Sequence, residues 1–255
     1  MKVIRRDFLP ADLKKEVDAA GFDGVVTVQA RQTLEETRWL LSMAAQNDFI
    51  KAVVGWVPLT DSFVYRDLES LAQNPRLCAV RHVVQSEPDG FLLREDFNSG
   101  VSVLRELDLA YDLLILERQL PEAIAFVDQH PQQVFVLDHL AKPRIKEQML
   151  DPWRQNLQEL AQREHVYCKV SGLVTEADFA SWDEGQLRPY FEIALESFGP
   201  SRLMFGTDWP VCLAASSYRR WYDIVGRFAS ALSAEERADI FGGTAERAYG
   251  LQQQE

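Results

Sequence analysis

Apolar residues along this chain gather in short runs that alternate with longer stretches of helical spacing. Runs rich in β-branched and aromatic residues stand at Gly24–Ala30, Ile50–Leu59, Cys78–Val84, Leu109–Leu116, Val134–Ala141, Val166–Leu173 and Leu203–Pro210. Near-continuous apolar runs of this length predict strands buried on both faces, as in a parallel sheet covered by helices. The intervening stretches carry helix signals. A helix over Ala11–Ala20 opens at Pro10 and stops at Gly21. Thr33-Leu34-Glu35-Glu36 reads as a capping box that starts a helix running to about Asn47. Pro121 suits a first helical turn, with Ile124 and Val127 following on one face. Trp153, Leu157, Leu160 and Ala161 make one apolar stripe; Phe191, Ala194, Leu195 and Phe198 make another, closed by Gly199 and Pro200. Ser233 to Glu236 is a second capping box, and Thr244 is expected to cap a last short helix ending at Gly250.

Strand–helix units recur every ~25–40 residues, the spacing of right-handed βαβ crossovers. That alternation leaves a closed barrel or a doubly wound open sheet. A dinucleotide-binding sheet would show a G-x-G-x-x-G turn after an early strand, and none is present. At 255 residues the chain matches a (β/α)8 TIM-type barrel, which typically takes ~250 residues. No linker or low-complexity run divides it, so one domain over residues 1–255 is expected. Seven strands are identifiable, however, and the helix at Ala11–Ala20 precedes the first of them. Met1–Phe8 has only Val3 and Ile4 as strand formers beside Lys2, Arg5 and Arg6. The expected fold is therefore α/β, a TIM-type barrel lacking its first strand.

Charge and composition narrow the function. A net charge of −12 disfavours nucleic acid and anionic membrane surfaces as partners. Cys78, Cys168 and Cys212 lie far apart without a C-x-x-C pair, which suggests buried free thiols in a reducing cytoplasm. The start has no signal-peptide character, and no run approaches the ~20 apolar residues that span a bilayer.

In a barrel, chemistry sits at the C-terminal ends of the strands, so polar residues that break apolar runs near their ends are the candidates. Gln29 and Arg31 end the first run, and Arg81 and His82 interrupt the third. Tyr111 and Asp112 interrupt the fourth, and Asp138 and His139 follow Val134–Leu137. Lys169 and Ser171 fall in the sixth run, and Asp208 and Trp209 end the seventh. Each has a structural alternative. Arg81 and Lys169 could pair with Asp112 or Asp138, Tyr111 could be a core aromatic, and Gln29 could cap the barrel mouth. Their convergence at equivalent heights on successive strands points instead to a site. The chemistry they permit is hydrolysis. Asp208 suits a general base for water or a metal ligand. His139 could orient that water, protonate a leaving oxygen or bind a metal. Arg81 and Lys169 could stabilise an oxyanion, and Trp56, Tyr111 and Trp209 could flank a small ring. No G-x-S-x-G elbow, P-loop or H-E-x-x-H helix occurs.

Phe135–Pro143, Val80–Gln85, Cys168–Leu173 and Arg202–Pro210 together resemble signatures of the lactonase branch of the amidohydrolase superfamily, whose members act on fuconolactone, rhamnonolactone and pyrone-dicarboxylate lactone. Val28–Gln32 and Phe241–Ala245 resemble it too, so the likeness covers nearly the whole chain. It implies a hydrolase that opens a small sugar lactone in carbohydrate catabolism. Asp208 would then activate water, His139 would be a site histidine, and Arg81 and His82 would contact the lactone. Members with and without a divalent-metal requirement are known; zinc is compatible with the resemblance and not required by it. His139 and Asp208 would be its ligands if one binds.

The family opens with a strand carrying a His-x-His pair, and this sequence contains no His-x-His. Either translation starts upstream of Met1, or the shortened chain is an impaired or non-catalytic lactone- or sugar-acid-binding relative. Without that strand, the edges at Gly24–Ala30 and Leu203–Pro210 lack partners. The chain is then expected to be less stable, or to form a homo-oligomer that covers the gap. A metal-dependent amide hydrolase or decarboxylase on the same fold is the further alternative.

Overall fold

The alternation of apolar runs and helical stripes produces one parallel sheet wrapped by helices. The computed structural model describes residues 2–251. Strands β1 (Val25–Val28), β2 (Ile50–Gly55), β3 (Leu77–His82), β4 (Ala110–Leu113), β5 (Phe135–Leu137), β6 (Val166–Val170) and β7 (Leu203–Phe205) lie side by side in sequence order. Every neighbouring pair is parallel, and each crossover carries helix. This is a TIM-type barrel sheet that stays open: among the described residues no strand joins β1 to β7. Lys2–Ile4, where the first strand would be sought, form a 3-10 turn.

The strands start where the apolar runs start and end well before the runs do. The fifth run, Val134–Ala141, yields only Phe135–Leu137 as strand, and the seventh, Leu203–Pro210, only Leu203–Phe205. In both, the polar strand-end residues leave the hydrogen-bond ladder to build the mouth. The helix signals hold closely. α1 (Pro10–Ala20) ends on Gly21 at φ +78, and Thr33 caps α2 (Leu34–Gln46) by accepting from the Glu36 N–H at 3.1 Å. The Glu36 carboxylate accepts from the Ala30 and Arg31 amides, so it braces the end of β1 instead of closing the expected box. α5 (Leu120–Gln129), α6 (Trp153–Leu160) and α8 (Glu184–Phe198) match the predicted stripes. α10 (Ala234–Ala238) has the full Ser233–Glu236 capping box. Thr244 is the first residue of α11 (Thr244–Ala248) and not its cap; its hydroxyl donates to the Pro200 carbonyl at 3.4 Å. Four helices had no clear sequence signal: α3 (Val64–Ala72), α4 (Glu95–Glu106), α7 (Leu173–Glu176) and α9 (Tyr218–Phe228). No described helix is long and apolar enough to cross a membrane.

Inside the curve of the sheet, Ala52, Val54, Ala79, Ala110, Val136 and Met204 form a small apolar cluster joined by Ala248 and Tyr249 from the end of α11. Across the open seam four aromatic rings meet. Phe22, just before β1, stacks on Phe205 of β7 at 5.5 Å between ring centres. Tyr222 of α9 and Phe241 contact both of them at 5.2–6.3 Å. Each such pair adds to the area its rings bury, so this quartet replaces with side chains part of what strand pairing would supply. Replacing Phe22 with alanine is expected to destabilise the fold by roughly 2–3 kcal/mol, below the range for a fully buried Phe because the ring is half-exposed. Urea unfolding would check this; an unchanged midpoint would show that the seam carries no load.

Candidate active site

The loops after β5, β6 and β7 bring His139, Ser171 and Asp208 together. After Leu137 the chain makes one left-handed turn, with φ of +52, +51, +59 and +52 at His139, Leu140, Ala141 and Lys142. Non-glycine residues there cost about 1–2 kcal/mol each, so the surroundings must hold the turn in place. Leu140 and Ala141 are fully buried, and the Trp153 indole donates to the Leu140 carbonyl at 2.7 Å. Asp208 is also left-handed, at φ +54, with its carbonyl accepting from the Cys212 N–H at 2.8 Å. Backbone strain of this kind concentrates at functional sites.

The His139 Nδ1 lies 2.8 Å from the Ser171 hydroxyl, and its Nε2 lies 3.8 Å from Asp208 Oδ1. A carboxylate opposite Nε2 favours the tautomer protonated there, with Ser171 donating to Nδ1. Two glycines permit this approach. A Cβ on Gly172, itself at φ +71, would sit 2.9 Å from the His139 Cβ, and one on Gly206 would sit 2.9 Å from the Ser171 Cβ. Burial pushes the His139 imidazole below its ordinary value, against the pull of Asp208 and Asp138, so the ring is neutral near pH 7. The side chains of His139 and Asp208 keep 11% and 19% exposure, enough for a small molecule to reach them. Trp209 stands at the same mouth, with Phe8 packed edge-on against it at 5.1 Å.

Beneath this pair lies a layer of buried charge. Asp138 accepts from Arg81 at 2.7 Å and pairs with Lys169 at 2.7 Å. Lys169 also pairs with Asp112, whose two oxygens accept from the Tyr249 hydroxyl at 2.9 Å. Against the burial that would raise it, Lys169 and Arg81 hold the Asp138 carboxyl well below its usual range. For Asp112 burial prevails over Lys169 and pushes the carboxyl up to about 6. Arg81 and Lys169 are thus engaged by carboxylates, the structural pairing expected as their alternative.

Four side chains expected from sequence as substrate contacts, His82, Trp56, Tyr111 and Gln29, are engaged by other protein groups. His82 follows Arg81 in one strand, so the two face opposite sides of the sheet. Its ring stacks on Phe91 at 4.9 Å, Nε2 meets Glu87 at 2.8 Å, and Nδ1 accepts from the Trp56 indole at 3.3 Å. Both His82 and the Trp56 N–H are therefore committed to the outer layer. Tyr111 faces away from Asp112 for the same reason, fully buried among Phe97, Phe126 and Phe135. Gln29 donates to the Arg81 carbonyl at 3.0 Å and its own carbonyl accepts from the Arg81 guanidinium, so it clamps β1 to β3. Sequence reasoning passed over the role of Ser171, although it shares the inward face of Lys169 two residues earlier. It also missed Glu176, which no strand pattern marks.

A catalytic zinc takes three protein ligands and a water. Among the described residues no group of three or more His, Cys, Asp or Glu converges to hold one, and His139 and Asp208 supply two donors. The described residues therefore do not make a firm metal site.

A profile of the amidohydrolase family matches residues 2–251. An L-fucono-1,5-lactonase from Burkholderia multivorans is 42% identical, covering 98% of this chain and 88% of that protein. The L-fucono-1,5-lactonase of Burkholderia ambifaria is 35% identical over the same shares. A crystal structure of a Burkholderia multivorans amidohydrolase with bound zinc superposes with a TM-score of 0.95 at 42% identity, covering 99% of this chain and 92% of that one. A 2-pyrone-4,6-dicarboxylic acid hydrolase from Pseudomonas putida, at 20% identity and a TM-score of 0.80, shares the fold. On the family profile and the lactonase identities together, the chain belongs to the amidohydrolase family.

Proposed function

We infer that this protein hydrolyses the cyclic ester of a small sugar lactone of the fuconolactone or rhamnonolactone type. The observation that carries the reading is the His139–Asp208 pair, held across two strand ends by strained backbone and a serine, in a chain 42% identical to an L-fucono-1,5-lactonase.

The chemistry follows from the atoms present. A gap of 3.8 Å between Nε2 and Oδ1 is too long for a direct hydrogen bond and suits one water touching both groups. Asp208 accepts a proton as that water attacks the lactone carbonyl. The carbonyl carbon becomes tetrahedral and its oxygen carries the negative charge until the ring C–O bond breaks. When the ring C–O bond breaks, the His139 Nε2–H protonates the leaving oxygen and Asp208 returns its proton to His139. The product is the open hydroxy acid. Trp209 walls the ring.

Two measurements bear on this. Purified protein mixed with L-fucono-1,5-lactone should release acid, followed by a pH indicator, well above the spontaneous rate; acid release at the spontaneous rate would remove the lactonase reading. On the acid side, kcat/KM should fall as pH drops through a pKa below 6.5, the ordinary histidine value, because burial lowers that of His139. An imidazolium reverses the Ser171 hydrogen bond at Nδ1 and holds Asp208 in an ion pair, away from the water. An acid limb above 6.5 would contradict this assignment.

A further inference from the structure

Beside the His139–Asp208 pair, two oppositely charged side chains fail to satisfy each other. Lys142 closes the left-handed turn that begins at His139, and Glu176 ends α7. Lys142 Nζ and Glu176 Oε1 stand 3.9 Å apart, beyond hydrogen-bond reach. Their side chains are only 21% and 27% exposed. A charged pair formed for stability closes to ~2.8 Å with direct N–H···O contact; this one stays open, and a hydroxyl lying beside it can reach both groups at hydrogen-bond distance. α7 packs on the turn Val211–Ala214 that follows Asp208, and the Asp208 charge bears on Glu176, so both residues face the same mouth. Burial raises the Glu176 carboxyl, against Lys142. Lys142 and Glu176 also line a surface groove with Arg118, Arg144 and Thr175.

A hydroxyl group is the ligand this spacing suits. It accepts from an ammonium and donates to a carboxylate at the same time, and a polyol ring offers several. We propose that Lys142 and Glu176 form the subsite that grips a ring hydroxyl of the substrate while Asp208 and His139 act on its ester, an assignment that rests on the lactonase reading. The pair thereby separates hydroxylated lactones from plain ones. A site built to bond a hydroxyl rejects the analogue lacking it, because both charges are then left without a partner.

The test uses the whole chain and two kinds of probe. In kinetics, L-fucono-1,5-lactone is compared with δ-valerolactone, the same ring without hydroxyls. Glu176→Gln and Lys142→Met should each lower the preference for the sugar lactone on the order of 10–100-fold, mainly through KM, as expected for losing a hydrogen bond to a charged group. In calorimetry, 1,5-anhydro-L-fucitol keeps the ring and its hydroxyls without an ester; it should bind the wild type, tetrahydropyran should not, and both variants should weaken it. Melting temperatures confirm that the variants fold, and the comparison of the two ethers on wild type needs no variant at all. Equal losses on both lactones, unchanged preference in both variants, or equal binding of the two ethers would each overturn the subsite. Anhydrofucitol binding that depends on Glu176, with no lactone turned over, would remove the lactonase reading and leave the subsite standing.

Discussion

Asp208→Asn is expected to fold as the wild type does and to lose lactone hydrolysis by about 10²–10⁴-fold in kcat, the range for removing a positioned general base. The substitution is close to isosteric. Asparagine tolerates the left-handed backbone that residue 208 adopts at φ +54 better than almost any other non-glycine residue. The side-chain amide oxygen can still accept from a water that also touches the His139 Nε2, so the pair's geometry should persist. What disappears is a group able to take a proton from water. Rates from the indicator assay, set beside melting temperatures, separate the two effects. Equal rates in both proteins would take the base role away from Asp208 whatever the fate of the lactonase assignment. A fall in rate matched by a large drop in melting temperature would mean that residue 208 holds the loop more than it handles protons.

The largest expected loss of stability lies one layer below. Asp138→Asn should cost about 3–5 kcal/mol, the range for removing one partner from a buried charge network. Asp138 touches both Arg81 and Lys169, and without its charge Lys169 keeps Asp112 while Arg81 loses its only carboxylate partner among the described residues. Asp112 is itself reluctant to ionise, since burial raises its carboxyl to about 6. A loss of this size is a large part of the ~5–15 kcal/mol that holds a domain folded. Adding Arg81→Met to Asp138→Asn should recover part of it, because the cation that Asp138 alone paired is then gone. Urea midpoints for the single and double variants close that cycle. A double variant less stable than the sum of the singles would show that the charges are not coupled in this way.

Much of the fold is legible in the sequence because parallel strands must begin with apolar residues that are buried on both faces. Their ends are not legible. The residues after Leu137 keep an apolar look, as in Leu140-Ala141, while leaving the sheet in a left-handed turn, and no local preference announces four such residues without glycine. At the site, His139 and Asp208 stand out because each breaks an apolar run at its end. The outward placement of His82 and Tyr111 has one cause: a strand alternates, so neighbours such as Arg81 and His82 cannot both face inward. Applied strictly, that period would have moved both residues to the outer layer and brought Ser171 in beside Lys169. Glu176 had no such signal, because a one-turn helix leaves no periodic trace.

The Tyr249 hydroxyl closes on Asp112 across 137 positions of sequence. A contact of that span forms late, since the chain between must be ordered first. On the ribosome, a chain extended as far as β7 already holds every described strand and all four charges of the inner layer, yet not the ring that covers them. The charged interior is therefore completed by the residue that follows α11, and Tyr249→Phe should speed unfolding while leaving the folding rate nearly unchanged in stopped-flow measurements.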